Sequence, residues 1–174
     1  MKIKLLTFLL SMVSTGLSAQ QQVNDSTYIQ PSIIGRLCLA PTGIVIEKKL
    51  FNDLTIATTV FVDLFEKQSE YVNDSEVRSY YPVYCIFDPR YYISLEERNM
   101  NGDRIDYYSG SFFGFPIMIE LTGSEYSFGP VYGFQRTIGK RWYWNIGFGI
   151  GMNHWKGNYS ISPVGEFGIG YIFY

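Results

Sequence analysis

The chain has little charge, one histidine, two cysteines and, past its first residues, no long apolar run. Charged residues make up 17% of 174, below the roughly 25% of ordinary soluble domains. That deficit argues against a surface built wholly for water. The net charge of −2 supplies no basic excess, so no nucleic-acid partner is expected. One histidine, His154, and two distant cysteines, Cys38 and Cys85, offer no zinc-ligand spacing. Gly147, Gly149 and Gly151 alternate with apolar residues and no Lys-Ser/Thr follows them. They read as strand, not as a phosphate loop. No cofactor, metal or catalytic residue is predicted, and no reaction can be read from the chain.

Aromatic residues and glycine are what the chain has in quantity. Tyr 15, Phe 13 and Trp 3 make 18% of the chain, beside 17 glycines. Many aromatics, many glycines and few charges suit an outer surface that faces lipid.

Lys2 and Lys4 precede an apolar run from Leu5 to Val13, and small residues then lead to Leu17-Ser18-Ala19. This is the pattern of a cleaved export signal, with the cut after Ala19. The run is shorter than the roughly 20 residues of a membrane-spanning helix. No cysteine sits near the cut, so no lipid attachment is expected there. Residues 1–19 are therefore predicted as signal peptide, 20–30 as a polar lead and 31–174 as one barrel domain.

Period-two patterns, interrupted by Gly, Pro and Asn-Asp, predict strands at about 31–39, 43–50, 54–65, 80–93, 107–121, 126–137, 142–153 and 162–174. No stretch beyond the signal shows a helical period. The expected fold is all-β, an antiparallel up-and-down transmembrane barrel of about eight strands. An even count puts the turns at 51–53, 95–106 and 138–141 on the side of the chain ends, the periplasm. The connections at 40–42, 66–79, 122–125 and 154–161 then face outward. Segment 95–106 is long for a periplasmic turn and 40–42 short for an outer loop, so six and ten strands stay open.

The stretch 142–152 shows the two faces most clearly. Trp142, Trp144, Ile146, Phe148, Ile150 and Met152 share one side; Tyr143, Asn145, Gly147, Gly149 and Gly151 share the other. A membrane barrel turns the apolar face toward lipid and keeps polar or small residues inside. Applied to every strand, that rule predicts an interior polar network of Arg36, Glu47, Lys49, Asp63, Asp88, Arg90, Glu120 and Glu166, with Gln135 beside it. Eight strands leave room only for side chains, so these charges are expected to pair and plug the barrel. For Arg90 the expected partners are Glu120 or Asp63. Cys38 falls inward and Cys85 outward, which rules out a disulfide between them.

The chain closes with Glu166, Gly168, Tyr171 and Phe173 at alternating positions. This is similar to the terminal-strand signal of outer-membrane barrels, which usually ends on its aromatic; here Tyr174 follows. The resemblance implies recognition by the barrel-assembly machinery. The mature chain as a whole, with Asp88-Pro89-Arg90-Tyr91-Tyr92 before a charged turn, resembles small, mostly uncharacterised outer-membrane barrels of the OmpA/OmpX-like size. It implies location in the bacterial outer membrane, lipid as surroundings and a structural or surface-interaction role, with the surface partner unnamed. Two alternatives stand beside it. One is an outer-leaflet lipid-modifying enzyme, a lipid A acyltransferase or deacylase, using His154 and Ser75; Lys156 stands where a deacylase carries its serine. The other is a soluble periplasmic ligand-binding barrel.

Overall fold

The computed structural model describes residues 31–65, 68–73, 76–101, 106–155 and 157–173. The predicted signal peptide, the polar lead, Ser75 and Tyr174 lie outside the described residues.

The period-two stretches form β1 (Ile33–Ala40), β2 (Thr42–Lys49), β3 (Leu54–Val62), β4 (Gln68–Asn73), β5 (Glu76–Tyr80) and β6 (Val83–Tyr92). A short helix, α1 (Leu95–Met100), and a 3-10 turn (Asp106–Tyr108) follow. The chain continues as β7 (Gly110–Gly114), β8 (Ile117–Glu120), β9 (Tyr126–Phe128), β10 (Val131–Ile138), β11 (Trp142–Trp155) and β12 (Asn158–Ile172).

Ten of these strands make one closed antiparallel sheet; β4 and β5 make a separate hairpin. Phe115-Pro116 separates β7 from β8, and Gly129-Pro130 separates β9 from β10. Proline has no N–H for the ladder, so each break is local. The register runs through both: Val131 faces Gly114 and Ile117 faces Phe128. Counted as continuous wall strands, β7–β8 and β9–β10 give eight, each beside its neighbour in sequence. The fold is a closed eight-stranded up-and-down barrel.

Three segments differ from expectation. The stretch 66–79, expected as a polar loop, holds the paired strands β4 and β5. The stretch 154–161, expected as a connection, is strand on both sides of a tight turn, with Trp155 paired to Asn158. The stretch 95–106 begins as helix α1, which has only 6 residues, too few to display a period of 3.6 in the sequence. The described connections nevertheless fall at the two ends in the expected grouping. Those that follow Lys49, Tyr92 and Ile138 share an end with the start of β1 and the close of β12.

The stagger of the wall follows from its register. From Tyr171 on β12 the partners run Leu37, Ile44, Val60, Cys85, Ile119, Tyr126, His154 and back to β12 at Tyr159. One circuit thus returns from position 171 to position 159, a stagger of twelve residues. Closure with such a stagger requires strongly tilted strands. Strand length also rises in chain order: β1 and β2 have 8 residues each, β3 9 and β6 10. The next two wall strands span 110–120 and 126–138, and β11 and β12 have 14 and 15 residues.

The outward face is apolar around the circuit. Phe148, Ile150 and Ile161 are 70%, 66% and 77% exposed, and Phe113, Trp142, Phe167 and Phe173 are also exposed. A cluster of buried apolar residues, including Ile34, Ala57, Tyr143 and Ile172, lies inside toward the end where β1 begins and β12 stops. The described parts of the connection after β6, 93–101 and 106–109, pack into that mouth, burying Leu95 and Tyr108 against Tyr92 and Phe112. The Tyr92 ring lies 5.6 Å from each of Tyr108 and Phe112. Tyr107 and Tyr108 take left-handed φ values of 53° and 60°, unfavourable for bulky residues. Burial of the Tyr108 ring and its hydroxyl bond to the Pro31 carbonyl, 2.7 Å, hold the turn.

Candidate functional site: a polar layer inside the barrel

Alternation sends every second residue inward, and in one half of the barrel these residues carry charge. Arg36 on β1 and Glu47 on β2 form an ion pair with Nη2 2.6 Å from Oε2, at side-chain exposures of 1% and 0%. Glu47 also accepts the Thr55 hydroxyl at 2.6 Å and the Tyr92 hydroxyl at 2.8 Å. Arg36 donates to the Tyr107 carbonyl at 3.1 Å and lies over the Tyr143 ring, 5.0 Å from its centre. The folded-in connection therefore completes the first arginine's surroundings.

Arg90 on β6 organises a second cluster. Its Nε donates to Asp88 at 2.5 Å, its Nη1 to Gln135 at 3.1 Å and its Nη2 to Glu166 at 2.9 Å. The guanidinium also sits 4.6 Å from the centre of the Phe112 ring. Asn145 donates to Glu166 at 3.1 Å, and Gln135 donates to the Tyr107 carbonyl at 3.1 Å. The layer thus ties β6, β10, β11 and β12 together across the lumen. Arg forms such multi-toothed contacts because its planar donors point in fixed directions.

Of the predicted network, Arg36, Glu47, Asp88, Arg90 and Glu166 lie together in this layer. Three others do not. Lys49 ends β2 at the terminal mouth, lining an open groove with Ser32, Phe51, Asn52 and Asp53. Asp63 lies past the end of β3 in the other half, where its carboxylate accepts the Phe65 amide at 2.9 Å. Glu120 is buried but ends β8 opposite Tyr84, and accepts the Thr122 hydroxyl at 2.9 Å. So neither Glu120 nor Asp63 is the partner of Arg90; Asp88, Gln135 and Glu166 are. Thr55, Tyr92 and Asn145 also belong to the layer, though a search for charged residues does not find them. All three have inward parity, which is the signal the sequence offers.

The terminal-strand residues divide by face. Glu166 and Gly168 point inward; Tyr171 and Phe173 point outward, the Tyr171 ring edge-on to Trp142 at 5.7 Å. Both cysteines are free. Cys38 faces the lumen and shares a hydrogen bond of 2.5 Å with the Tyr143 hydroxyl. Cys85 has outward parity, between Val60 and Ile119. His154 faces outward near the far rim, stacked on Tyr126 at 4.7 Å and beside Tyr159 at 4.9 Å. Among the described residues no group of three or more His, Cys, Asp and Glu could hold a metal.

Chemically, the layer is a set of mutual anchors: Arg36 is held by Glu47 and Arg90 by Asp88 and Glu166, and Glu47 and Glu166 accept further donors while the Oδ1 of Asp88 is buried without a hydrogen bond. No protein-family description, curated protein or solved structure matches this chain.

Proposed function

We propose that the chain is an outer-membrane β-barrel of a two-membrane bacterium, with a structural or surface-interaction role. The observation that carries this reading is the inverted distribution of polarity. Arg36, Glu47, Asp88 and Arg90 are buried inside, while Phe148, Ile150, Ile161 and Phe167 face out. A soluble barrel would turn these aliphatic and aromatic rows inward. Exposed apolar area of this extent needs a partner phase, and lipid provides one. Aromatic side chains near both rims, Trp142 and Tyr171 at one and Tyr126 and Tyr159 at the other, suit the two membrane interfaces. The export signal at 1–19 and the terminal pattern Glu166, Gly168, Tyr171 and Phe173 fit delivery to the barrel-assembly machinery.

The protein is expected in the outer-membrane fraction, with faster gel migration unheated than boiled. Recovery as a soluble periplasmic protein would favour the ligand-binding alternative instead.

In this reading the end bearing the termini is periplasmic and the β4–β5 hairpin is on the cell surface. An epitope inserted after Asn73, at the turn of that hairpin, is expected to bind antibody on intact cells. Labelling only after the membrane is opened would reverse the orientation.

A further inference from the structure

We propose that the outward rim of β10 and β11 binds an anionic phospholipid of the periplasmic leaflet, its phosphate diester held by Arg136. The proposal rests on the membrane reading above and names one lipid partner within it.

The outward side of the wall is nearly free of charge. Among the described residues its strands turn two charged side chains outward, Lys48 on β2 and Arg136 on β10. The carboxylates of the wall strands, Glu47, Asp88, Glu120 and Glu166, all point inward. Both outward cations lie toward the end where β1 begins, Lys48 one residue and Arg136 two residues before its strand stops. On a lipid-facing wall a cation is costly at the bilayer midplane and costs little near an interface. These two residues therefore suit the level of the periplasmic headgroups.

Arg136 is less open to water than Lys48. It is half-buried, set between Phe134 and Ile138 along β10 and opposite Trp144 across the ladder. Phe134 and Ile138 are exposed on the same face, so the guanidinium stands within an apolar row. Its Nη1 donates to the Gln135 carbonyl at 3.1 Å, and among the described residues no carboxylate pairs with it. A second arginine makes the place more positive. Arg98 on α1 donates to the Ser109 carbonyl at 3.0 Å, and the Ser109 hydroxyl accepts the Thr137 amide at 3.0 Å. These bonds bring Arg98 to the neighbour of Arg136, near enough for the two charges to repel. Lys140 and Arg141 follow in the β10–β11 turn.

Four cations at one rim, one of them half-buried without a carboxylate, favour an anion. A phosphate diester suits it, because the guanidinium fork matches two phosphate oxygens. The surrounding side chains are those of a membrane interface. Trp142 and Tyr171 meet edge to face at 5.7 Å, and Arg141 donates to the Tyr171 hydroxyl at 3.1 Å; such rings sit at headgroup level. Beyond Arg136 toward the bilayer centre, Phe134 and Tyr132 continue the exposed row. A soluble anion would meet the charge and leave this row uncovered. A phospholipid meets the charge with its phosphate and covers the row with its acyl chains.

The test reads Trp144, opposite Arg136, in a Trp142→Phe, Trp155→Phe background refolded into vesicles of phosphatidylcholine and phosphatidylglycerol in equal parts. Each lipid in turn carries bromine on its acyl chains, and the ratio of the two quenching efficiencies gives the preference for the anionic headgroup. A several-fold preference is expected, falling to a factor near one in Arg136→Gln and part-way in Arg98→Gln. Lys48→Gln, across the barrel on β2, is expected to leave it unchanged. Heat-modifiable migration verifies each fold. Quenching by both lipids with no preference in the parent would overturn the site and leave the membrane reading intact. An unchanged preference in Arg136→Gln, or in Arg98→Gln should the first not refold, would overturn it too. So would an equal fall in Lys48→Gln, because net charge alone would then gather the lipid. No quenching by either lipid would remove both readings.

Discussion

Arg90→Leu is expected to lower the unfolding free energy of the refolded barrel by about 3–5 kcal/mol, the usual cost of removing one partner from a buried ion pair. Arg90 is 4% exposed and bonds Asp88, Gln135 and Glu166 from three different wall strands. Its loss leaves two carboxylates in one confined layer with no cation between them. Each would then be a buried charge short of a donor. Arg90→Lys is expected to fall between the parent and Arg90→Leu, because an ammonium keeps the charge but lacks the planar fork that reaches three acceptors. Urea titration in detergent micelles measures both. Unchanged stability in Arg90→Leu would mean that the layer does not hold the wall together. Unchanged stability with loss of a surface activity would move Arg90 from tie to functional group.

How far the sequence can be read depends on what alternation encodes. Period two assigns a face, so the apolar row of β11 and the inward parity of Asp88 and Arg90 are legible in the order of residues alone. Alternation does not assign a level along the barrel. Lys49 and Asp63 have the parity of the layer, yet Lys49 ends β2 and Asp63 lies just past β3, both away from it. Level depends on register, and register accumulates around the whole circuit. That is why Glu166, 76 positions from Arg90 in sequence, is its partner while Glu120 on the adjacent wall strand is not. The short connection at 40–42 and the long one at 95–106 sit awkwardly with an eight-strand count until the fold supplies their causes. The first joins the two shortest wall strands. The second carries helix α1 and leads to the turn at the mouth of the barrel where the Tyr107 carbonyl serves Arg36 and Gln135. A buried backbone carbonyl at such a turn has no sequence signature. Helix α1 and the β4–β5 hairpin are likewise hidden, one by brevity and the other by a polar composition shared with loops.

The Arg36–Glu47 pair allows the sharper experiment, because breaking a buried pair and replacing it have opposite consequences. Glu47→Leu strands Arg36 at 1% exposure and removes the acceptor of Thr55 and Tyr92. A loss of about 3–5 kcal/mol is expected. Arg36→Met leaves Glu47 with its two hydroxyl donors and no cation, and a loss of similar size is expected. The double variant contains neither charge. Apolar residues of similar volume often substitute for a buried pair with little net change, so most of the loss should return. What remains is the cost of two hydroxyls left short of a partner, each about 1–3 kcal/mol at most, since the Tyr107 carbonyl keeps its bond from Gln135. Adding Thr55→Val and Tyr92→Phe to the double variant removes the two hydroxyls and should recover part of that remainder. The double-mutant cycle in urea reads the coupling directly. Additive losses would show that the two residues do not act as a pair. Recovery in the double variant would show that the charges are not required for a stable barrel, only for each other. Their burial would then be tolerated because each neutralises its neighbour.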